Sequence, residues 1–155
     1  MTFQSSLLDA SAVRLVPGLS SKEELFRLLG STSESAYGLD AAEVATRLGE
    51  RERLGSTGFG RGVGIPHAKI GGLDQPVGLV VALAKPIEFG ALDEQRVDLV
   101  FGLLSPLGGG SAHLKALAEI SRLLRDEKML AKLRGARDAG ALFALLADRQ
   151  ERDAA

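Results

Sequence analysis

This chain contains two almost uninterrupted apolar stretches, VGLVVALA at residues 77–84 and VDLVFGLL at residues 97–104. Each stretch has the length of a buried β-strand and falls well short of the roughly 20 residues that span a bilayer. Apolar side chains at successive positions, and therefore on both faces, are typical of central strands covered on both sides of a sheet. The two stretches predict the middle of a β-sheet around which the rest of the chain packs.

Helix signals lie before and after these strands in the sequence. A short strand is predicted at residues 11–15, where alternate positions are apolar. Strands with covering helices indicate one domain of class α/β or α+β, and the tail at residues 150–155 is expected to be frayed. Capping residues followed by apolar periodicity predict five helices. Their N-caps are expected at Ser21, Asp40, Ser111, Asp126 and Asp138, and Gly30, Gly55 and Gly135 are expected to end the first, second and fourth.

The composition narrows the chemistry that the chain can perform. It has 155 residues, with 19 Lys plus Arg against 20 Asp plus Glu, a net charge of −1, two His and no Cys. A nearly neutral chain argues against a protein that binds nucleic acid or anionic lipid. Without Cys there is no disulfide scaffold, thiolate nucleophile or Cys-bound metal. His67 and His113 therefore supply all of the imidazole chemistry.

The N-terminal residues MTFQSSLLDA carry neither the basic segment nor the long apolar segment of a signal peptide. The apolar stretches are also too short to cross a bilayer. We therefore expect a cytoplasmic protein with no membrane insertion.

A glycine-rich segment, GSTGFGRGVGIPHAK, begins at Gly55 and contains five Gly up to Gly64. A phosphate-binding P-loop needs GK[ST] after its glycines, and that sequence does not occur in the chain. A dinucleotide fingerprint needs GxGxxG between a strand and a helix, whereas these glycines alternate and follow a predicted helix. The segment is either a flexible turn or a place where small residues let another chain approach closely.

Within this segment, His67 continues an apolar face. In an extended chain Val63, Ile65 and His67 point to the same side, and Pro66 favours a strand end. A His just past a strand end in an α/β protein is well placed for ligand chemistry. The alternative is a structural His whose hydrogen bonds are satisfied within the core.

His113 shares one face of a predicted helix with Leu117, Ile120 and Leu124, at offsets of 4, 7 and 11 residues. It therefore stands at the start of a buried stripe, within the first turn. The positive end of the helix dipole disfavours a cation there. We expect a neutral imidazole that can hydrogen-bond an anionic group.

The two arginines of the segment ERER, Arg51 and Arg53, lie on different faces of the predicted helix. Arg51 follows Val44 by seven residues and lies on the stripe of Val44 and Leu48, whereas Arg53 follows by nine and faces the opposite way. Arg51 thus stands at the end of a core face, where its guanidinium needs an anionic or acceptor partner. The alternative is that its aliphatic part covers apolar surface while the guanidinium reaches water. Arg53 is expected to be a solvated surface charge.

Three segments carry a family resemblance: ERERLGSTGFGRGVGIPHAK, AKPIEFGALDEQRVDLVFGLL and AHLKALAEISRLL. Over about residues 11–147 the chain resembles the fructose/mannitol-type enzyme IIA domains of the bacterial phosphotransferase system, and most of all the nitrogen-related stand-alone IIA proteins. The IPH and AHLKALA histidines stand 46 residues apart, as expected for this group. The resemblance implies an α/β fold in which residues 1–155 form a single domain, with a central mixed β-sheet flanked by helices on both faces.

The resemblance also selects site residues. The phosphorylated histidine of the family stands in IPH, here His67, and a second active-site histidine opens AHLKALA, here His113. The active-site arginine of the ERE segment is Arg51. Ser56 and Thr57 are expected to add hydrogen-bond donors for the phosphate.

One position departs from the family. Arg61 stands where the family often has a neutral polar residue, so it adds a cation to the loop before the phosphorylated histidine. There it either tunes phosphate affinity or partner choice, or it points to solvent. Phe59, in the same loop, is expected either on the partner surface or in the core beneath the loop.

The implied function is a phosphocarrier that accepts a phosphoryl group on His67 from an HPr-like protein. No metal or other cofactor is needed, because both reacting groups belong to proteins. A nitrogen-related regulatory role, exerted on target proteins, is favoured. The alternative is a sugar-specific IIA component that passes its phosphate to a separate IIB protein for fructose- or mannitol-type uptake.

Two further classes of protein stay open. One is a binding module that is never phosphorylated, against which the presence of both histidines and Arg51 argues. The other is a His-based zinc site, for which two His without Cys are a thin set of ligands.

Overall fold

The two apolar stretches form the central, antiparallel pair of a six-stranded sheet. The computed structural model describes residues 7–91 and 93–154, with side chains described as far as residue 147. In chain order the strands are β1 (Val13–Val16), β2 (Gly58–Gly60), β3 (Val63–Gly64), β4 (His67–Ile70), β5 (Val77–Ile87) and β6 (Val97–Pro106). The helices are α1 (Lys22–Tyr37), α2 (Ala41–Leu54), α3 (Ser111–Leu124), α4 (Glu127–Arg134) and α5 (Ala139–Ala154).

The sheet is mixed, which confirms the expectation from the family resemblance. Its order is β1-β5-β6-β3-β2, and β4 also pairs with β6. β1 runs parallel to β5, and both β3 and β4 run parallel to β6. The register of β4 against β6 places His67 opposite Leu103 and Lys69 opposite Ser105.

The central strands are covered on both faces, as their sequences predict. Every residue from 77 to 83 in β5 and from 99 to 105 in β6 is buried. These side chains join those of the helices in one continuous hydrophobic cluster. α1 packs on α2, α3 packs on β6, and α5 packs on β1. Among the described residues, no helix has both the length and the apolarity that a membrane span requires.

The first helix is longer than the sequence predicts. It begins after Ser21 as expected, but it passes through Gly30 and ends at Gly38, whose φ is 70°. A Cβ on Gly30 would lie 2.3 Å from the carbonyl oxygen of Ala41. The prediction that Gly30 ends the helix is therefore wrong, because this glycine serves the close contact between α1 and the start of α2.

Other element boundaries also differ from the sequence predictions. Residues 11 and 12 lie in a 3-10 turn (Ala10–Ala12), so the first strand starts two residues later than predicted. Ser111 is the first residue of α3 rather than its cap, and Gly110 takes the cap position without a side-chain hydrogen bond. α5 continues to Ala154, so the backbone of the tail that was expected to be frayed is helical, with Ala155 outside the described residues.

The glycine-rich segment is also more regular than a loop. It contains β2 and β3, which pair antiparallel around Arg61 and Gly62. Ile65 and Pro66 interrupt the strand pairing, so His67 begins β4 instead of following a strand end. The amide of Ile65 donates a hydrogen bond to the carbonyl of Thr57 at 2.9 Å, and the carbonyl of Pro66 accepts from the amide of Leu103 at 3.0 Å. These bonds fix the backbone on both sides of the histidine.

Candidate functional site

The two histidines lie side by side in one open cavity. Their ring centroids are 5.5 Å apart, and the ring planes are tilted by 49°. His67 comes from the first residue of β4, His113 from the first turn of α3, and Arg51 from the last turn of α2. All three line the same cavity, whose volume is about 630 Å³. The structure thus brings together the three residues that helical and strand phase had selected separately.

The hydrogen bonding of His67 fixes which of its nitrogens is free. Nδ1 lies 2.8 Å from the carbonyl oxygen of Ile65. A carbonyl can only accept, so Nδ1 carries the proton and donates it. In a neutral imidazole, Nε2 then holds the unshared electron pair. His67 therefore offers Nε2 as a nucleophile.

The surroundings of His67 favour this neutral form. Partial burial lowers the pKa of His67 below its ordinary value of 6.5, and the positive charge of Arg51 lowers it further. The hydrogen bond to Ile65 and the charge of Glu52 act in the opposite direction. At neutral pH the ring is therefore uncharged and its Nε2 lone pair is available.

His113 is buried, with 9% of its surface exposed. Burial lowers its pKa below 6.5, and His67 and Lys69 lower the pKa further. Its Nδ1 lies 2.6 Å from the hydroxyl oxygen of Ser105, at the end of β6. The expectation of a neutral imidazole in this first helical turn agrees with the direction of the pKa shift.

Positive charge surrounds the histidines. Arg47, Arg51 and Lys69 line the cavity, together with one carboxylate, that of Glu50. The guanidinium of Arg51 donates to the carbonyl of Gly55 at 3.0 Å, which holds it at the C-terminal end of α2. An anionic phosphoryl group is the kind of ligand that this excess of cations attracts.

Arg53 lies elsewhere, as its helical phase predicts. Its side chain is exposed, and it lines a second cavity formed between α1 and α2. Arg53 does not line the cavity that contains the two histidines.

Ser56 and Thr57 hold the glycine-rich segment in place and do not line the histidine cavity. Thr57 is buried, and its amide and hydroxyl both donate to the carboxylate of Glu52, at 2.9 and 2.6 Å. Glu52 also accepts from the ammonium of Lys22 at 2.7 Å. The hydroxyl of Ser56 accepts from the amide of Gly58 at 3.1 Å. Donation from either hydroxyl to a phosphate therefore stays a prediction.

Arg61 does not line the cavity of the two histidines. It occupies the turn between β2 and β3 with a φ of 59°. Its guanidinium lies 3.3 Å from the carboxylate of Glu127, and its carbonyl accepts from Arg134 at 2.6 Å. This placement and the exposure of the Arg61 side chain favour a side chain that points to solvent over one that tunes phosphate affinity. A role in partner choice stays a prediction. Phe59, on β2, is exposed, at 36%, so it does not lie in the core beneath the loop, and its place on a partner surface stays a prediction.

Sequence reasoning did not single out Arg47 and Lys69, which line this cavity with Glu50. It also missed Ser105, which is buried and hydrogen-bonds His113. Arg47 lies one turn before Arg51 on the same face of α2, and Lys69 shares its strand face with His67. Ser105 continues the buried face of Leu99, Phe101 and Leu103 along β6. The rule that selected the two histidines, a polar residue at the end of an apolar stripe, also applies to Ser105.

Among the described residues, no three His, Cys, Asp or Glu side chains form a group suited to a metal ion.

Comparison with known proteins now gives the family. Residues 6–149 match the model of "Phosphoenolpyruvate-dependent sugar phosphotransferase system, EIIA 2". The chain belongs to this family of enzyme IIA proteins and is therefore a phosphotransferase component with a phosphocarrier role.

Within this family, several of the relatives that match the chain are nitrogen regulatory proteins. The chain is 44% identical to a nitrogen regulatory protein of Bradyrhizobium diazoefficiens, over 92% of this chain and 94% of the relative. It is 38% identical to a nitrogen regulatory protein of Pseudomonas aeruginosa, over 87% and 88% of the two chains. Its fold matches the crystal structure of the nitrogen regulatory protein IIA-Ntr from Neisseria meningitidis with a TM-score of 0.83 and 33% identity, over 90% and 96% of the two chains. These relatives favour the nitrogen-related role over the sugar-specific one.

Proposed function

We propose that Nε2 of His67 accepts a phosphoryl group from an HPr-like donor protein and that the phosphorylated state serves nitrogen-related regulation. The observation that carries this proposal is the hydrogen bond from Nδ1 of His67 to the carbonyl of Ile65. It leaves a nucleophilic nitrogen in a cavity lined by two arginines and a lysine. The nitrogen regulatory relatives support the regulatory part.

The transfer step is a direct exchange between two imidazoles. The bond between phosphorus and nitrogen in the donor's phosphohistidine breaks, and the donor ring keeps the bonding pair. The lone pair of Nε2 of His67 forms the new bond to phosphorus. The proton on Nδ1 stays in its hydrogen bond to Ile65, which stabilises the charge that the phosphorylated ring acquires.

Arg51 and His113 complete the chemistry. Phosphoryl transfer passes through a loose transition state whose charge is spread over the oxygens, so catalysis consists mostly of positioning and electrostatic stabilisation. The planar guanidinium of Arg51 is suited to bind two phosphoryl oxygens at once. The ring of His113 lies close enough to His67 to hydrogen-bond a third.

The rim of the cavity is suited to a protein partner. Leu54 and Leu107, 84% and 60% exposed, line the cavity, and Leu114, 67% exposed, directly follows His113. They are three of the five large apolar side chains that are exposed in the described part of the chain. An apolar rim around a charged centre is typical of modest, transient protein interfaces. The HPr-like donor docks here first, followed by a regulatory target, or by a IIB acceptor under the sugar-specific alternative.

The decisive experiment is mass spectrometry after incubation with phosphoenolpyruvate and the general phosphotransferase proteins. The wild-type protein gains one acid-labile phosphate that maps to His67, and His67→Ala gains none while its circular dichroism stays unchanged. Phosphate uptake by His67→Ala, or a label on His113, would contradict the assignment.

The sugar-specific alternative is tested with the phosphorylated protein. Under the regulatory role, candidate IIB proteins leave its phosphate in place. Rapid loss of phosphate to one of them would establish the sugar-specific role instead.

The cytoplasmic location stays a prediction from the sequence.

A further inference from the structure

Ser105 lies beneath the second histidine, at the end of β6. Its side chain has no exposed surface, and its hydroxyl oxygen is 2.6 Å from Nδ1 of His113. We propose that Ser105 is a positioning residue that holds His113 in the tautomer with its proton on Nε2, so that His113 faces the phosphoryl group as a hydrogen-bond donor. The phosphoryl part of this inference rests on the proposed function, whereas the tautomer does not.

The burial of Ser105 decides the direction of the hydrogen bond. Among the described residues, its hydroxyl has one hydrogen-bond partner, Nδ1 of His113. If Nδ1 carried the proton and donated it, the hydroxyl hydrogen would stay buried without an acceptor, which is costly. If the hydroxyl donates to Nδ1, both the hydroxyl hydrogen and the Nδ1 lone pair have a partner. The hydroxyl is therefore the donor.

The protonation state of His113 then follows. Burial and the neighbouring His67 and Lys69 lower its pKa, so the ring is neutral and carries one N–H. With Nδ1 accepting from Ser105, that N–H is on Nε2. The opposite tautomer would turn a lone pair towards phosphoryl oxygens, which are themselves acceptors and carry negative charge. Only the Nε2–H form can bind them.

The two histidines thus have opposite tautomers with complementary uses. Ile65 accepts from Nδ1 of His67 and leaves Nε2 as a nucleophile, whereas Ser105 donates to Nδ1 of His113 and leaves Nε2–H as a donor. The pairing of β4 with β6 links these arrangements, since it places His67 opposite Leu103 and Lys69 opposite Ser105. One strand register therefore positions both the nucleophile and the residue that orients its neighbour.

The test is nitrogen-15 NMR of the unphosphorylated protein at a pH above 7. In the wild-type protein we expect the proton of His113 on Nε2 and that of His67 on Nδ1. Ser105→Ala should give a mixture of tautomers at His113 and leave His67 unchanged, whereas Ser105→Thr, which keeps a hydroxyl, should retain the wild-type state. Thr32→Val is the matched control, because Thr32 is also buried but its hydroxyl has no hydrogen-bond partner.

Phosphotransfer kinetics supply the second readout. Ser105→Ala should lower the rate constant for phosphoryl acceptance about tenfold, the effect of one hydrogen bond in the transition state, with little change in the KM for the donor. Ser105→Thr should recover most of the rate, and Thr32→Val should match the wild type.

Three results would overturn the inference. They are a proton on Nδ1 of His113 in the wild-type protein, an unchanged His113 tautomer in Ser105→Ala, and a wild-type transfer rate in Ser105→Ala despite an altered tautomer. If Ser105→Ala fails to fold, the wild-type and Ser105→Thr tautomers still decide. If the tautomers are as expected but the wild-type protein takes up no phosphate, the proposed function is wrong and the tautomer assignment stands.

Discussion

Arg51 and Arg53 are separated by one residue in α2, yet their side chains have different environments. Arg51 is partly buried, lines the histidine cavity and donates to the carbonyl of Gly55. Arg53 is exposed on the side of α2 that faces α1. Substitution of each arginine in turn therefore compares the same charge at two positions, one in the histidine cavity and one outside it.

We predict that Arg51→Ala slows phosphoryl acceptance by about 100-fold, as removal of a preorganised charge from a transition state commonly does. Arg53→Ala should change the rate by no more than about twofold, as for other surface substitutions. Arg51→Lys keeps the charge but loses the planar fork, so it should fall between the two. Rapid-quench measurement of transfer from the phosphorylated donor gives the rates. Equal rates for the two Ala variants would remove Arg51 from the mechanism.

Helical and strand periodicity selected the main residues of the candidate site. His67, His113 and Arg51 are each polar residues at the end of an apolar stripe, and the structure places all three in one cavity. Their proximity was not predictable from phase, because they come from three elements far apart in the sequence. The bond between Ser105 and His113 was also not predictable, because it joins β6 to α3. The bond from His67 to Ile65 spans only two residues, but it depends on the side-chain conformation of His67, which strand phase does not give.

At the scale of elements, local signals predicted most helix starts and ends: Gly55 and Gly135 end α2 and α4 as expected, whereas Ser111 and Gly30 do not take the predicted cap positions. The side chains of Ser21, Asp40, Asp126 and Asp138 accept hydrogen bonds from backbone amides three residues ahead, as the capping patterns predict. Gly30 misled the prediction of an end, because a glycine that permits a close helix contact has the same sequence signature as one that ends a helix. Only the position of α2 distinguishes the two cases.

Gly30 and Gly49 give a matched pair for testing this explanation. Gly30→Ala should lower the free energy of unfolding by about 1–3 kcal/mol, because the added Cβ would lie 2.3 Å from the carbonyl of Ala41. Gly49→Ala should raise it by about 0.5–1 kcal/mol, since Gly49 is inside α2 and its Cβ would meet nothing within 4 Å. Urea denaturation measures both. A Gly30→Ala protein as stable as Gly49→Ala would mean that the helices do not touch as described.

At the scale of the whole molecule, one side chain joins three separate parts of the fold. The hydroxyl of Tyr37, at the end of α1, accepts from the amide of Asp9 at 3.0 Å. It donates to the carbonyl of Gly78 in β5 at 2.7 Å. The carbonyl of Leu7, 3.1 Å from the same hydroxyl, is a second acceptor. Burial is the largest cause that raises the pKa of Tyr37 from 10.0 to about 12. The N-terminal segment, the first helix and the central sheet therefore share one titratable contact.

Because Tyr37 is the single tyrosine of the chain, its ionisation can be followed directly by ultraviolet absorbance. We predict half-ionisation near pH 12 while the protein is folded, instead of near 10.0. A folded pKa above the unfolded value means that the contact stabilises the protein fully below pH 10 and that this stability is lost as the pH rises towards 12. Tyr37→Phe should lower the free energy of unfolding by about 1–3 kcal/mol at neutral pH, and its difference from the wild type should narrow across that alkaline range. Titration near pH 10 with unchanged circular dichroism would show that the hydroxyl is not held between these three parts of the fold.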